Sequence, residues 1–269
     1  EYTFPLDNDK LWDFKPLAKV GDKVAAGGWL GEVDENFQPH KIMVPFTFKG
    51  EYTVKSLKEA GQYTIGEVIA VLTDETGKDV EVTMIQRWPV KRAITCYKEK
   101  PRPYKLLETG VRTIDTVNPI VEGGTGFIPG PFGTGKTVLQ HAISKQAEAD
   151  IVIIAACGER ANEVVEIFTE FPELIDPHTG RKLMERTIII ANTSNMPVAA
   201  REASVYTAMT IAEYYRSMGL KVLLMADSTS RWAQALREMS NRLEELPGPD
   251  AFPMDLSAIV ANFYARAGY

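Results

Sequence analysis

The sequence has few of the residues that cross-link small proteins or bind metal ions: two cysteines and three histidines among 269 residues. Cys96 and Cys157 are far apart and lack metal-ligand spacing, which argues against a disulfide framework and fits a reducing compartment. The histidines are scattered, so they predict no metal or acid–base cluster. The sequence also lacks an apolar run of bilayer length. Its first residues do not resemble a signal peptide, so we expect membrane association only through partner proteins.

The charge balance limits the class of partner. The net charge is −6, which argues against nucleic acid as the main partner. Apolar residues make up 45% of the chain and charged residues 25%, an ordinary globular composition that supports a sizeable core. A chain of this length forms one large domain or two smaller ones.

One stretch matches the phosphate-binding loop G-x-x-x-x-G-K-[ST] at every position. It consists of Gly130, Pro131, Phe132, Gly133, Thr134, Gly135, Lys136 and Thr137. Its glycines let backbone N–H groups converge on a polyphosphate, while Lys136 reaches the outer phosphates and the Thr137 hydroxyl takes one site on Mg²⁺. The pattern predicts a short strand at 126–129 and a helix at 136–148. The positive end of that helix dipole would face the phosphates.

The chain divides by composition into three parts. Residues 1–85 are rich in short apolar runs and glycine turns, which predict a small barrel or sandwich. Residues 86–122 are a connector rich in proline and charge, and residues 123–269 are the nucleotide-binding part. Residues 20–33, with their paired glycines and short apolar runs, resemble part of the biotinyl and lipoyl carrier domains, which makes Lys41 a candidate cofactor-bearing lysine. Its neighbours depart from the carrier pattern, so we favour a similar fold without the modification.

Strands and helices alternate after the loop, as a mostly parallel α/β sheet requires. Apolar runs predict strands at 151–156, 187–192 and 221–227. Amphipathic or capped segments predict helices at 162–170, from about 197 to 218, and at 231–246. In the helix after the loop, Val138, Leu139, Ala142 and Ile143 are predicted to share one face.

Charged residues follow the ends of two predicted strands. Open α/β sheets bind ligands outside the carboxyl ends of their strands, so Glu159, Arg160 and Asp227 are candidates for the same site as the loop. Asp227 matches a Walker B acid that holds Mg²⁺, and Glu159 is suited to orienting an attacking water. Arg160 is either a phosphate contact or a surface ion pair. Arg231 is either a contact on the γ-phosphate side or a surface residue.

Glu163 lies four residues beyond Glu159 on the following predicted helix. It is a candidate for the water network, but a solvated helix acid is the favoured interpretation.

Several long strings together resemble the catalytic A subunits of the V/A-type rotary ATPases. They are residues 130–137, 157–160, 192–204 and 226–233. The resemblance implies a RecA-like P-loop core preceded by an all-β bulge domain. It also implies ATP or ADP with Mg²⁺ as cofactors, phosphate binding by the loop and by Val138 and Arg231, metal binding by Thr137 and Asp227, and catalysis by Lys136, Glu159, Arg160 and Asp227. Ala161 departs from the glycine usual in this family.

The resemblance also implies partners. A non-catalytic B subunit would supply an arginine finger in an A3B3 hetero-hexamer, and central-stalk subunits would couple ATP hydrolysis or synthesis to H⁺ or Na⁺ transport. The complex would be cytoplasmic and peripheral to the membrane. The family's N-terminal barrel and C-terminal helical domain are expected outside these residues, so we expect weak or no turnover from this chain alone.

Two other hypotheses remain from the sequence. The first is a RecA-like nucleic-acid motor similar to Rho, which would need a basic or aromatic platform near the N-terminus. The second is a module without catalysis that carries a cofactor on Lys41 or docks a partner.

Overall fold

The computed structural model describes residues 4–131 and 133–269. The chain separates into two compact units, Glu1–Tyr97 and Lys98–Tyr269. Among the described residues, no helix has both the length and the apolar character needed to cross a membrane.

The described residues of the first unit form two antiparallel four-stranded sheets, with orders β4-β3-β1-β6 and β2-β5-β7-β8. The strands are β1 (Trp12–Pro16), β2 (Lys23–Val24), β3 (Trp29–Glu35), β4 (Gln38–Met43), β5 (Tyr52–Leu57), β6 (Gly61–Tyr63), β7 (Ala70–Thr73) and β8 (Asp79–Val82). Both sheets send apolar side chains into one core, among them Phe14, Leu30, Val54 and Leu72, each at most 1% exposed. This unit is therefore a β-sandwich.

Lys41 lies within strand β4 and not at a hairpin tip. Its ammonium pairs with the Glu32 carboxylate on β3 and stands 5.1 Å from the centre of the Trp29 ring. The turn between β3 and β4 is formed instead by Asn36 and Phe37, both with positive φ. The carrier hypothesis places the lysine at such a tip, so the position of Lys41 gives it no support.

The second unit alternates strands and helices. Its strands are β9 (Leu106–Leu107), β10 (Ile120–Val121), β11 (Ile151–Glu159), β12 (Thr187–Thr193) and β13 (Val222–Asp227). Its helices are α1 (Arg112–Val117), α2 (Lys136–Gln146), α3 (Ala161–Glu170), α4 (Val198–Ser217), α5 (Thr229–Arg242) and α6 (Leu256–Tyr264), with 3₁₀ turns at Phe171–Glu173, Leu183–Arg186 and Pro249–Ala251.

The central sheet of this unit has the order β12-β11-β13 among the described residues, and both pairings are parallel. Strand β11 is buried along its whole length because helices cover both faces. Ile151, Ile153 and Ala155 pack towards α4. Val152 and Ile154 point the other way, into a cluster with Ile167 of α3, Phe171 and Leu183. This alternation decides which side chains reach the candidate site.

The C-terminal end of α2 is held by a buried guanidinium. Arg186 donates from Nη1 to the carbonyls of Ala147 and Ala149 at 3.1 and 2.6 Å, and its Nε lies 3.1 Å from Oδ2 of Asp176. The Nε2 of His178 lies 2.9 Å from the carbonyl of Gln146. Carbonyls at a helix end need such partners when they are buried. The end of α2 distant from the phosphate-binding loop is thus fixed to the segment before β12.

Several helix limits differ from the sequence predictions, most clearly those of α2 and α5. Helix α2 ends at Gln146 and not at residue 148, because Ala147 is already extended. Helix α5 begins at Thr229 and ends at Arg242, before Glu244 with its positive φ of 55°.

Two other predictions also differ from the structure. The predicted strand at 126–129 is wrong, since those residues have no strand pairing. Val138 lies off the buried face of α2 with 73% of its surface exposed, whereas Ile143 is buried.

The two ends of the second unit lie together. Lys100 donates from Nζ to the carbonyls of Ala265 and Ala267, and the hydroxyl of Tyr269 donates to that of Tyr104 at 3.1 Å. The buried Arg266 pairs with Glu213 of α4. The residues after α6 are therefore fastened both to the start of the unit and to its central helix.

Candidate nucleotide site

The phosphate-binding loop leads directly into α2. Gly133 and Gly135 adopt φ values of 81° and 84°, which other residues rarely adopt, and nothing lies within 4 Å of where their Cβ atoms would be. The Thr134 hydroxyl donates to the carbonyl of Pro131 at 2.7 Å and closes the turn. A Cβ on Gly130 would come within 2.6 Å of that hydroxyl oxygen. Phe132, predicted to be part of the loop, lies outside the described residues.

The first turn of α2 meets the end of β13. The hydroxyl of Thr137 donates to Oδ2 of Asp227 at 2.7 Å. One turn further along, Nε2 of Gln140 lies 3.4 Å from the carbonyl of Ala226. The two predicted metal ligands are therefore neighbours, although 90 residues separate them in the sequence.

Glu159 ends β11 beside these groups and is 5% exposed. Burial, a hydrogen bond with the carboxyl group of Glu163 and the nearby charge of Asp227 raise the pKa of Glu159 to about 8. Arg231, in the first turn of α5, opposes this shift only in part, with its Nε 3.3 Å from Oε1 of Glu159. Nη1 of Arg231 also donates to the carbonyl of Gly158 at 2.8 Å. Three acids thus share one partly desolvated corner with one guanidinium.

Other candidate residues lie at the edge of this corner. Lys136 begins α2 and is partly exposed, and Val138 follows it on the exposed side. Arg160 is exposed at the N-cap of α3, directly after Glu159. Glu163 is half-buried and contacts Glu159, so the favoured interpretation of it as a solvated helix acid is wrong.

Asn192 is a further polar residue at this corner, and no sequence motif predicted a role for it. This residue ends up beside Glu159 because it lies near the end of β12, and its Oδ1 accepts from the Gly158 N–H at 3.1 Å. A polar residue at the carboxyl end of a buried apolar strand was the available signal.

A pocket lies between α2, α3 and the ends of β11 and β13. The polar side chains around it include Thr137, Gln140, His141, Glu159, Glu163 and Asp227. Among the described residues, no group of three or more His, Cys, Asp or Glu side chains could hold a metal ion. Mg²⁺ needs no such cage, since it binds through one or two protein oxygens together with phosphates and waters. The adjacent oxygens of Thr137 and Asp227 and the surplus of acid around Glu159 fit such an ion.

Comparison with known proteins identifies the family. Residues 110–269 match the model described as "ATP synthase alpha/beta family, nucleotide-binding domain". The chain belongs to this family. Residues 3–91 match the family's "barrel-sandwich domain". The predicted fold class, a P-loop nucleotide-binding core after a small all-β domain, is confirmed.

Two similar proteins are V-type ATP synthase alpha chains. That of Treponema denticola is 61% identical over 99% of this chain and 45% of its own length, and that of Borrelia garinii subsp. bavariensis is 60% identical over 99% and 46%. The chain thus spans about half the length of these relatives. The predicted resemblance to the V/A-type catalytic subunits is confirmed.

A solved structure is also similar. It is described as a prototypical ATPase from the type III secretion system of pathogenic bacteria, and it is 29% identical with a TM-score of 0.56. The match covers 71% of this chain and 52% of that one.

Proposed function

We propose that this chain forms the nucleotide-binding core of the catalytic subunit of a V-type ATP synthase. Its site would hydrolyse or make ATP, and the assembled enzyme would couple that reaction to the transport of H⁺ or Na⁺. The observation that carries the proposal is the contact of Thr137 with Asp227 beside the phosphate-binding loop, with Glu159 on the same pocket. The names of relatives about 60% identical to this chain support it.

The residues of the candidate site have separate roles in the proposed reaction. The backbone N–H groups around Gly133 and Gly135, together with Lys136, would bind the β- and γ-phosphates. Thr137 and Asp227 would hold Mg²⁺, which neutralises charge on the phosphates when bound.

Glu159 would accept a hydrogen bond from the attacking water and align it with the γ-phosphate, while Glu163 and Arg231 fix the orientation of its carboxyl group. Its pKa of about 8 in the free chain means that the carboxyl is largely protonated at pH 7. A cation bound beside it would lower that pKa and favour the ionised form that water orientation needs.

The proposal extends to partners. A B subunit would add an arginine from a neighbouring chain, and central-stalk subunits would transmit rotation, with membrane contact only through other subunits. Such an arginine contributes about 10³–10⁵ in rate where it has been measured. We therefore expect this chain alone to bind nucleotide but to turn it over slowly.

Calorimetry with ATP and Mg²⁺ tests nucleotide binding, and steady-state assays of the assembled enzyme test catalysis. We expect Lys136→Met to weaken binding at least tenfold, and Glu159→Gln to retain binding while lowering kcat at least a hundredfold. Lys182→Met and Glu166→Gln are matched controls, because both residues are exposed in the same unit and away from the pocket. Unchanged turnover by Glu159→Gln would overturn the assignment of Glu159.

A further inference from the structure

Strand β11 carries one extra residue just before its end. Its parallel pairing with β12 is regular up to Ala156, which lies opposite Ala191, and it resumes where Glu159 lies opposite Thr193. A step of three residues on β11 therefore matches a step of two on β12. This is a β-bulge, a feature that redirects the side chains following it.

The bulge puts Glu159 on the pocket side of the sheet. Ile154 and Ala156 face the pocket, and Cys157 faces the opposite side, where it packs with Trp232. Because side chains alternate along a strand, a regular β11 would turn Glu159 to the same side as Cys157. Glu159 lines the pocket instead, beside Thr137. Its place in the site thus depends on the extra residue.

The side chain of Asn192 binds the N–H of Gly158 in the bulge, and that of Arg231 binds its carbonyl. A bulge leaves backbone groups without ladder partners, and the N–H of Gly158, which has a φ of 65°, donates to Oδ1 of Asn192 at 3.1 Å. Asn192 is 4% exposed, and its Nδ2 donates to Sδ of Met196 at 3.2 Å. The backbone ladder resumes immediately afterwards, where the N–H of Ser194 donates to the carbonyl of Glu159 at 2.9 Å.

We propose that Asn192 is a positioning residue that keeps the carboxyl group of Glu159 in the nucleotide pocket. The proposal rests on the role of Glu159 under Proposed function. Asn192 does not line the pocket and has no hydrogen bond with the phosphate-binding loop or Asp227 among the described residues. Its loss should therefore slow the chemical step and leave nucleotide binding intact. Residues that orient metal ligands through hydrogen bonds typically contribute about 10–100-fold in activity, and we expect a similar scale for Asn192.

The test uses the assembled enzyme and compares three variants by steady-state kinetics. Asn192→Ala removes the acceptor for Gly158, and we expect kcat to fall about 10–100-fold while KM for Mg·ATP stays within about twofold. Met196→Leu is the matched control, because it removes the other hydrogen bond of Asn192 and keeps the one to Gly158. It should retain the kcat of the unmodified enzyme.

Asn192→Asp preserves the acceptor and adds a negative charge near Glu159. We expect it to recover most of the lost kcat at high pH, with the acid limb of its pH–rate profile displaced to higher pH. A fall of kcat without a change of KM in Asn192→Ala, together with recovery of kcat in Asn192→Asp, is a readout that a purely structural role of Asn192 would not produce. If Asn192→Ala does not assemble, the kcat of Asn192→Asp at high pH decides the question, because this variant keeps the acceptor for Gly158. A kcat about tenfold or more below that of the unmodified enzyme would refute the proposal.

Two further outcomes separate this proposal from the one before it. If Glu159→Gln abolishes turnover while Asn192→Ala retains full kcat, the positioning role is wrong and the proposed function stands. If Glu159→Gln retains turnover, the role of Glu159 fails and the positioning role fails with it. Parallel losses of kcat and assembly in both Asn192 variants would show a structural role instead.

Discussion

Two buried acids in the second unit have opposite surroundings. Asp176 is 2% exposed and faces the guanidinium of Arg186, which also binds carbonyls at the end of α2. Glu159 is 5% exposed, but a second carboxyl group and the charge of Asp227 lie beside it, and Arg231 compensates only in part. A buried charge with a good partner belongs to the scaffold, whereas one with too few cations marks a place where a ligand adds the missing charge.

Breaking the ion pair of Asp176 with Arg186 should have the largest effect on stability. Arg186→Met removes the partner of Asp176 and the donors to the end of α2, so we expect a loss of about 3–5 kcal/mol in the free energy of unfolding of the second unit. Urea unfolding, monitored by hydrogen exchange of the α2 amides, measures this loss. Lys182→Met, which removes an exposed charge four residues away, is the control and should change stability by less than about 0.5 kcal/mol.

Neutralising Glu159, the poorly paired acid, should raise the free energy of unfolding, whereas Arg186→Met lowers it. The folded-state pKa of Glu159, about 8, lies above the ordinary value of 4.5, so the folded chain binds more protons than the unfolded chain between these values. Stability attributable to this group therefore falls as the pH rises from about 4.5 to 8. Glu159→Gln should stabilise the nucleotide-free chain at pH 8 by roughly 2–4 kcal/mol and by little at pH 4.5.

Thermal unfolding at several pH values checks this expectation. Glu166→Gln, on the exposed face of α3, should show no such pH-dependent gain. A Glu159→Gln chain that is less stable than the parent at pH 8 would contradict the contrast between the two acids.

Breaking a charge pair in the first unit should have the smallest effect on stability. Lys41 pairs with Glu32 across the β3–β4 hairpin, where the two side chains are half-buried, at 14% and 27% exposed. Lys41→Met keeps the packing of the aliphatic stem, so we expect a loss of about 1 kcal/mol or less. Urea unfolding of the first unit, with the more exposed Lys23→Met as control, measures it. A loss as large as that of Arg186→Met would show that burial does not explain the difference between the sites.

The sequence predicted those parts of the fold that depend on local pattern. Apolar runs located β11, β12 and β13, and the long helix α4 ends at Ser217, near the predicted limit at about residue 218 and shortly before Gly219 with its φ of 83°. The end of α5 was missed because Glu244 takes the left-handed conformation without being glycine. The strand at 126–129 was predicted from its short apolar run, but a strand needs a pairing partner as well.

The candidate site was predictable only in part. The carboxyl ends of neighbouring parallel strands lie at the same edge of a sheet. The order of the strands in the sequence therefore predicted that Thr137, Glu159 and Asp227 lie close together. The bulge that turns Glu159 into the pocket depends on Asn192, which lies 34 residues from Gly158 in sequence. No local periodicity reports a pairing of that kind. Interactions between strand neighbours distant in sequence were therefore missed.

The closure of the second unit by Lys100, Tyr104 and the residues after α6 has a mechanical consequence. A pulling force applied between the two ends of this unit would be carried first by these few contacts, because the ends lie side by side. Part of the same load passes through Arg266 to Glu213 of α4, the helix that packs against the central sheet. Strain that enters at Lys100 would therefore reach the segment after α6 first, and helix α4 through Arg266.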